Sequence, residues 1–367
     1  MTGPNDAMVD DLVAEGLVAG AVEAAFRSVL RERFLPGVDL GRVYEANRAI
    51  LTRQAADGMG LSSSSAPTIM AIMLTDLDVH VGARVLEIGA GTGYNAALLA
   101  HLVGPAGTVT TVDIDDDVAA EARAHLAASG VSRVDVRAGD GWEGAADRGP
   151  FDRIIVTVGV TDLAPAWREQ LRDGGRLVAP LSLSSGLQVS ATFVRRGDRL
   201  VTARLERCGF MPFRGPNAGP SHFVALDDVW SSSYDHLGPS EVERLRRLHP
   251  QLTEVGSVVH QPAGWEERLA LGDARFLRLW AFDPCQHPSR TGLFDAAKGG
   301  LAVIEDQRIL AAGDAATADE LRVFVESARP LGLDQLEVEA VPAGSPVDSD
   351  GAWVVARPAT TFVVRER

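Results

Sequence analysis

Between residues 84 and 183 the chain alternates short apolar segments with longer amphipathic ones. The short segments have the length of buried strands, and the longer ones repeat their apolar positions every three or four residues, as helices do. The predicted strands are Arg84–Ile88, Thr108–Ile114, Val134–Ala138, Phe151–Val156 and Arg176–Leu183, and the predicted helices are Tyr94–Val103, Asp116–Ser129 and Ala164–Leu171. Alternating strands and helices predict an α/β fold with a mostly parallel sheet, whose ligands bind beyond the carboxyl ends of the strands.

The flanking segments follow other patterns. Apolar residues recur at helical spacing from Asp6 to Leu35 and predict two helices with a break near Gly20. Pro67 follows a loop rich in glycine and serine and fits the first turn of another helix. After a candidate linker at Gly209–Ser221, the pattern predicts helices at Glu241–Leu248 and Thr317–Ala328 and strands at Gly300–Ala312, Leu336–Val341 and Ala352–Val364.

These patterns divide the chain into two parts. Its 367 residues exceed the ~250 residues at which a single core usually stops growing. We therefore predict a first domain at residues 1–216, with N-terminal helices in residues 1–60 and a ligand-binding core in residues 61–190. A smaller mixed α+β domain is predicted at residues 217–367.

Charge and composition narrow the candidate partners and the location. The formal net charge of −15 disfavours nucleic acid and anionic membranes as partners, since both are polyanions. The apolar stretches are too short for a membrane span, and Met1–Asp11 lacks the Lys or Arg of a secretory signal, so we expect a cytoplasmic protein. Cys208 and Cys285 have no second Cys or His at ligand spacing, so we expect neither a disulfide framework nor a metal site.

The strongest chemical signal is a glycine-rich turn between a predicted strand and a predicted helix. It begins at Glu87 and places glycines at Gly89, Gly91 and Gly93, where their small size lets a ligand approach backbone amides at a helix start. A nicotinamide-dinucleotide fingerprint requires glycine three positions after the second one, and that position is Tyr94. The spacing therefore favours the nucleoside cradle of a methyltransferase.

Two later strand ends offer carboxylates to the same crevice. Asp113 follows the glycines by about twenty residues, where an acid can accept ribose hydroxyls. Its alternative role is a loop acid that favours the dipole of the next helix. Gly139-Asp140-Gly141 follows the third strand and is either a further part of the ligand site or a tight turn.

Several motifs, in order, resemble the protein-L-isoaspartate O-methyltransferase family. They are Val22–Pro36, Ser63-Ser-Ser-Ala-Pro67, the glycine turn, Gly139–Gly144, Pro150–Thr157 and Gly174–Val178. The resemblance implies a class I methyltransferase fold, Rossmann-like with a seven-stranded sheet. It also implies that S-adenosylmethionine is the cofactor, with S-adenosylhomocysteine as its product, and that the acceptor is a carboxylate of a peptide or protein.

The resemblance also assigns roles to single residues. Ser65 matches the active-site serine that helps to hold the acceptor carboxylate, and Ser63 stands at the family's threonine two residues earlier. The cofactor site implied by the family consists of Glu87, Gly89, Gly91, Gly93, Asp113, Asp140 and Gly141. Without the family context, the serine run would be a polar loop that caps the next helix.

The chain departs from simple members of the family in its serine-rich loop and its C-terminal extension. Together with Gly209–Phe213, these features resemble the enzymes of ribosomal-peptide (RiPP) biosynthesis. That resemblance implies methylation of an aspartate in a modified, often macrocyclic, precursor, whose ester closes to a succinimide (aspartimide) and can open to isoaspartate. The alternative is repair of L-isoaspartyl residues in damaged proteins. A small-molecule O-methyltransferase and a noncatalytic cofactor-binding module stay open as further classes.

Overall fold

The computed structural model describes residues 3–54, 60–184, 186–219, 222–234, 237–281 and 289–367. Its helices are α1 (Pro4–Ala14), α2 (Gly20–Ser28), α3 (Leu40–Val43), α4 (Pro67–Leu77), α5 (Tyr94–Val103), α6 (Asp116–Ala128), α7 (Pro165–Gln170), α8 (Pro239–Leu248), α9 (Trp265–Gly272) and α10 (Ala316–Ser327). Its strands are β1 (Ile50–Gln54), β2 (Gly60–Ser64), β3 (Arg84–Ile88), β4 (Thr108–Asp113), β5 (Val134–Ala138), β6 (Phe151–Val156), β7 (Leu171–Ser184), β8 (Leu187–Arg196), β9 (Arg199–Arg207), β10 (His222–Ala225), β11 (Trp230–Tyr234), β12 (Thr253–Ser257), β13 (Phe276–Ala281), β14 (Arg290–Asp295), β15 (Gly300–Glu305), β16 (Arg308–Gly313), β17 (Leu336–Pro342), β18 (Trp353–Ala356) and β19 (Thr360–Glu366).

The largest sheet of the described residues has ten strands in the order β18-β19-β17-β9-β8-β7-β6-β3-β4-β5. Strands β3 to β7 run parallel to one another, and β8 and β9 continue the sheet antiparallel. Strands β3 to β9 are the seven strands of the predicted class I methyltransferase fold, which is therefore confirmed. The other three strands come from the C-terminal end of the chain.

The sheet separates two hydrophobic cores, because successive side chains of a strand point to opposite faces. Val85 packs in a core with α1, α2, α4, α5 and α6, whereas Leu86 packs in the other core with α7, α9 and α10. Both side chains are fully buried. This two-sided burial explains why the parallel strands read as continuous apolar runs in the sequence.

The parallel part of the sheet agrees closely with the sequence prediction. Strands β3, β5 and β6 and helix α5 have the predicted bounds. Two C-terminal segments predicted as single strands are instead hairpins. Residues 300–313 form β15 and β16 around a turn at Asp306, which adopts a left-handed φ of 57°, and residues 353–366 form β18 and β19.

The chain after residue 217 contributes to two sheets. Strand β17 pairs with β9 and so extends the sheet of the first part of the chain. The strands β10 to β16 form a separate antiparallel sheet of seven. Leu200 in β9, Leu336 in β17 and Phe276 in β13 belong to one buried cluster. Residues on both sides of the predicted boundary at 216/217 therefore share a core.

The sequence predicts no membrane span, and the structure tests this only for the residues it describes. Within these ranges, every helix is too short or too polar to cross a lipid bilayer.

Candidate active site

A cleft of about 1170 Å³, counted with its open mouth, lies at the carboxyl ends of β3, β4 and β6. Its lining includes the β2 segment with the serine loop, the glycine turn after β3, the ends of β4 and β6, and residues 210–214. The cleft is therefore at the edge where a parallel α/β sheet binds its ligands.

The glycine turn is shaped by backbone conformations that favour glycine. Gly89, Gly91 and Gly93 have φ angles of 98°, 51° and 86°. A Cβ atom on Gly89 would lie 2.5 Å from Oγ1 of Thr157, and that hydroxyl donates a 2.8 Å hydrogen bond to the Gly89 carbonyl. Any larger residue at Gly89 would therefore displace the turn.

Asp113 ends β4 beside this turn. Its Oδ2 accepts a 3.0 Å hydrogen bond from the amide of Gly91, and its Oδ1 accepts one of 3.2 Å from the amide of Asp115. Burial is the largest cause of the raised pKa of Asp113, and the hydrogen bonds from the two amides oppose it. The carboxylate lines the cleft with its other lone pairs available to a ligand.

Glu87 lies beneath the turn and is fully buried. The side-chain amide of Asn95 donates a 2.8 Å hydrogen bond to its Oε1, while its Oε2 has no hydrogen-bond partner among the described residues. Burial raises the pKa of Glu87 to about 7. Glu87 is therefore a buried acid that contacts the cleft wall directly through Asn95.

Of the pair after β5, Gly141 lines the cleft and Asp140 stands beside it. A Cβ atom on Gly141 would lie 2.5 Å from Cγ2 of Ile88, which explains the need for glycine. Asp140 caps the short turn Gly141–Glu143, since its Oδ1 accepts a 2.9 Å hydrogen bond from the amide of Trp142. The turn-forming role that the sequence left open for Asp140 is therefore present.

The side chains of the serine loop alternate between buried and partly exposed, as expected at the end of a strand. Ser62 and Ser64 are buried, whereas Ser63 and Ser65 are partly exposed. All four residues line the cleft. The guanidinium of Arg31 donates a 2.8 Å hydrogen bond to the carbonyl of Ser65 and so holds the end of the loop.

Residues 210–214, part of the segment predicted as a linker, form the opposite wall of the cleft. The amide of Phe213 donates a 2.7 Å hydrogen bond to the carbonyl of Gly159, which docks this wall on the loop after β6. Nη2 of Arg214 lies 2.5 Å from Oδ2 of Asp115 and donates a 3.3 Å hydrogen bond to the carbonyl of Leu61. Arg214 therefore ties the wall to both the β4 loop and the β2 segment.

Sequence reasoning missed Arg31, Asn95, Thr157 and Arg214. Arg31 is one of three charged residues between Leu30 and Phe34, and nothing in that local pattern marks it as the buried one. The others depend on contacts between distant segments and leave no local pattern. Among the described residues, no cluster of His, Cys, Asp and Glu could hold a metal ion.

Known proteins match the part of the chain that forms this cleft. The family described as Protein-L-isoaspartate(D-aspartate) O-methyltransferase (PCMT) matches residues 3–217, more than half of the chain. A protein-L-isoaspartate O-methyltransferase of Thermotoga maritima is 35% identical over 182 residues, which cover 49% of this chain and 56% of that protein. One of Opitutus terrae is 35% identical over 213 residues, covering 58% of this chain and 87% of its own length.

Two solved structures share the fold. One, titled protein-L-isoaspartate O-methyltransferase, has a TM-score of 0.56 at 24% identity and covers 91% of this chain and 96% of its own. The other, a putative protein-L-isoaspartate O-methyltransferase of Plasmodium falciparum in complex with S-adenosyl-L-homocysteine, has a TM-score of 0.50 at 16% identity and covers 58% of this chain and 99% of its own. The chain belongs to the protein-L-isoaspartate(D-aspartate) O-methyltransferase family, which consists of S-adenosylmethionine-dependent carboxyl methyltransferases.

Proposed function

We propose that this protein transfers the methyl group of S-adenosylmethionine to a peptide carboxylate, with the L-isoaspartyl residue as its acceptor. One observation carries the proposal: the glycine turn and the serine loop face each other in a single cleft. A Cβ atom on Gly91 would lie 3.3 Å from the carbonyl oxygen of Ser63. A donor on the glycine turn and an acceptor at the serine loop would therefore be neighbours.

The residues of the cleft fit the cofactor. The left-handed glycine turn lets a ligand come close to the backbone, Asp113 offers lone pairs to ribose hydroxyls, and Gly141 keeps side-chain bulk out of the cleft at the proposed adenine end. When bound, the cofactor supplies a methyl group activated by the sulfonium charge. Glu87 would act from below by supporting Asn95 at the start of α5.

The acceptor requires orientation more than proton transfer. A carboxylate has a reference pKa of ~4 and is ionised at neutral pH, so it needs no general base. No histidine lines the described cleft. The Ser65 hydroxyl can donate a hydrogen bond to one carboxylate oxygen and leave the other free to attack. Alignment of this kind supplies ~7 to 11 kcal/mol of the barrier in favourable cases.

The comparisons favour the isoaspartyl acceptor over a tailored precursor. The relatives from Thermotoga maritima and Opitutus terrae both carry the isoaspartate name. The solved structure with that title covers 91% of this chain, so its fold extends well past residue 217. A C-terminal extension is therefore compatible with an enzyme of that name and does not by itself indicate peptide tailoring.

A second candidate acceptor is an aspartate of a ribosomally made, modified precursor peptide, such as a macrocycle. Two features that line the cleft support it: the serine-rich loop, which departs from simple members of the family, and the segment Gly209–Phe213, which resembles the ribosomal-peptide enzymes. The product would be a methyl ester that loses methanol as the following amide closes a succinimide.

A panel of three acceptors separates these candidates. The first is a short peptide with one L-isoaspartyl residue, the second is the same peptide with L-aspartate, and the third is a cyclised peptide that contains L-aspartate. The proposal predicts methylation of the first peptide and little of the second. Methylation of the third alone, with loss of methanol in the mass spectrum, would overturn the isoaspartyl assignment in favour of peptide tailoring.

A further inference from the structure

Arg31 is a fully buried cation behind the serine loop. Its side chain is 0% exposed at the start of the short turn Arg31–Phe34. Burial lowers the pKa of Arg31 to about 10, which leaves the guanidinium protonated at neutral pH. A charge this deep in a protein is costly unless an opposite charge accompanies it.

The partners of this guanidinium are all neutral. Its Nη2 donates hydrogen bonds to the carbonyls of Ser65 and Ser64 at 2.8 and 3.2 Å and to the Ser64 hydroxyl at 3.3 Å. Its Cζ lies 5.9 Å from the ring centroid of Tyr94. Over the described ranges, Nε and Nη1 have no hydrogen-bond partner, and the only charge interaction with Arg31 comes from Tyr94.

The position of this charge suggests what balances it. Ser64, Ser65 and Tyr94 all line the cleft, so the guanidinium lies one residue layer behind the acceptor side. We propose that Arg31 is a positioning residue of the acceptor site, which fixes the Ser64–Ser65 backbone and supplies the positive field that selects a carboxylate. No carboxylate of the described residues forms an ion pair with Arg31, and in this proposal the counter-ion arrives with the substrate. This inference rests on the proposed function.

The same field distinguishes substrate from product. Methyl transfer forms the bond between a carboxylate oxygen and the methyl carbon and breaks the bond between that carbon and sulfur. The anionic acceptor and the cationic sulfonium become a neutral ester and a neutral thioether. The ester loses its attraction to Arg31, so product binding weakens relative to substrate binding. Loss of the charge should therefore raise the acceptor KM more than it lowers kcat.

The test uses two peptides that differ only in the acceptor group. One carries an L-isoaspartyl residue with its free α-carboxylate, and the other has a carboxamide in the same place. Calorimetry in the presence of S-adenosylhomocysteine gives both dissociation constants without turnover. We expect the wild type to prefer the carboxylate by about tenfold or more, an effect on the scale of one charged hydrogen bond. Arg31→Met should abolish the preference, and Arg31→Lys should keep most of it.

Arg33→Met is the matched control, because Arg33 lies in the same turn, is exposed, and its side chain makes no hydrogen bond or ion pair within the described residues. If Arg31→Met does not fold, Arg31→Gln decides the question, since it removes the charge and keeps a hydrogen-bond donor. An unchanged preference in the uncharged variant would show a structural role only and overturn the inference. If the wild type prefers the carboxylate peptide but does not methylate it, the proposed function is refuted. If the wild type binds neither peptide, both the inference and the proposed function are refuted.

Discussion

Oδ2 of Asp113 accepts a 3.0 Å hydrogen bond from the backbone amide of Gly91. This bond joins the end of β4 to the glycine turn after β3. The carboxylate proposed to bind the ribose hydroxyls therefore also fixes the loop proposed to hold the rest of the cofactor. The same carboxylate therefore has both roles, and its substitution is best tested by cofactor binding.

We predict that Asp113→Ala weakens binding of S-adenosylhomocysteine by roughly tenfold to a hundredfold, since hydrogen bonds to a charged group contribute about 1.5 to 3 kcal/mol. Isothermal titration calorimetry measures this directly. Asp116→Ala is the matched control, because Asp116 is an exposed acid three residues further on. Equal losses in the two variants, or none in Asp113→Ala, would contradict the proposed cofactor site.

Ser65→Ala should lower turnover about tenfold to a hundredfold and leave cofactor affinity nearly unchanged. The reason is that its hydroxyl is proposed to orient the acceptor, and lost alignment costs rate. Ser62→Ala should matter less, because the Ser62 side chain is buried whereas Ser65 is partly exposed at the cleft. Steady-state kinetics with cofactor calorimetry compare the two, and equal effects would mean that the serine run is only a structural loop.

Glu87 predicts a specific pH dependence of stability. Burial raises the pKa of Glu87 in the folded state to about 7, above its ordinary value, so the native state binds the proton more tightly than the unfolded chain. The contribution of protonated Glu87 to the free energy of unfolding is complete below the pKa of the unfolded chain and is lost as the pH rises through 7. It amounts to at most about 3 kcal/mol. Urea unfolding of wild type and Glu87→Gln should show the variant gaining stability relative to wild type between pH 5 and pH 8. A difference that does not change with pH would contradict the buried-acid account.

The C-terminal strands should support the first part of the chain. Phe362 in β19 is 1% exposed and shares a core cluster with Leu200 of β9. Phe362→Ala should therefore cost about 3 to 5 kcal/mol of unfolding free energy. Val354→Ala, at a 44% exposed position of the neighbouring β18, should cost well under 1 kcal/mol. Urea unfolding with cofactor binding as a second probe tests this, and a transition confined to the C-terminal residues would show that the two parts unfold separately.

The parallel part of the fold was predictable because its signals are local. A buried strand such as β3 is a short apolar run, and the glycine turn needs glycine for backbone reasons that do not depend on the rest of the protein. Asp113 was predictable because the spacing of a strand, turn and helix unit fixes where the next strand ends.

The other features of the fold and site could not be predicted, because they depend on contacts between residues that are far apart in the sequence. Residues 210–214 read as a linker because Gly and Pro punctuate them, yet Phe213 and Arg214 dock onto segments far away in the sequence. Strands β17 to β19 gave the strand signal, but nothing local shows that β17 pairs with β9. The partners of Arg31 lie more than 30 residues later in the chain.

The most direct test of the account follows the methyl group itself. Purified protein is incubated with S-adenosylmethionine labelled in the methyl carbon and with the L-isoaspartyl peptide, and the product is then treated with mild base. The account predicts that the label leaves as volatile methanol, in a one-to-one ratio with the S-adenosylhomocysteine formed, because a methyl ester is the product. Label that stays on the peptide after base treatment, or no label on the peptide while the cofactor remains bound, would contradict carboxyl methyl transfer by this protein.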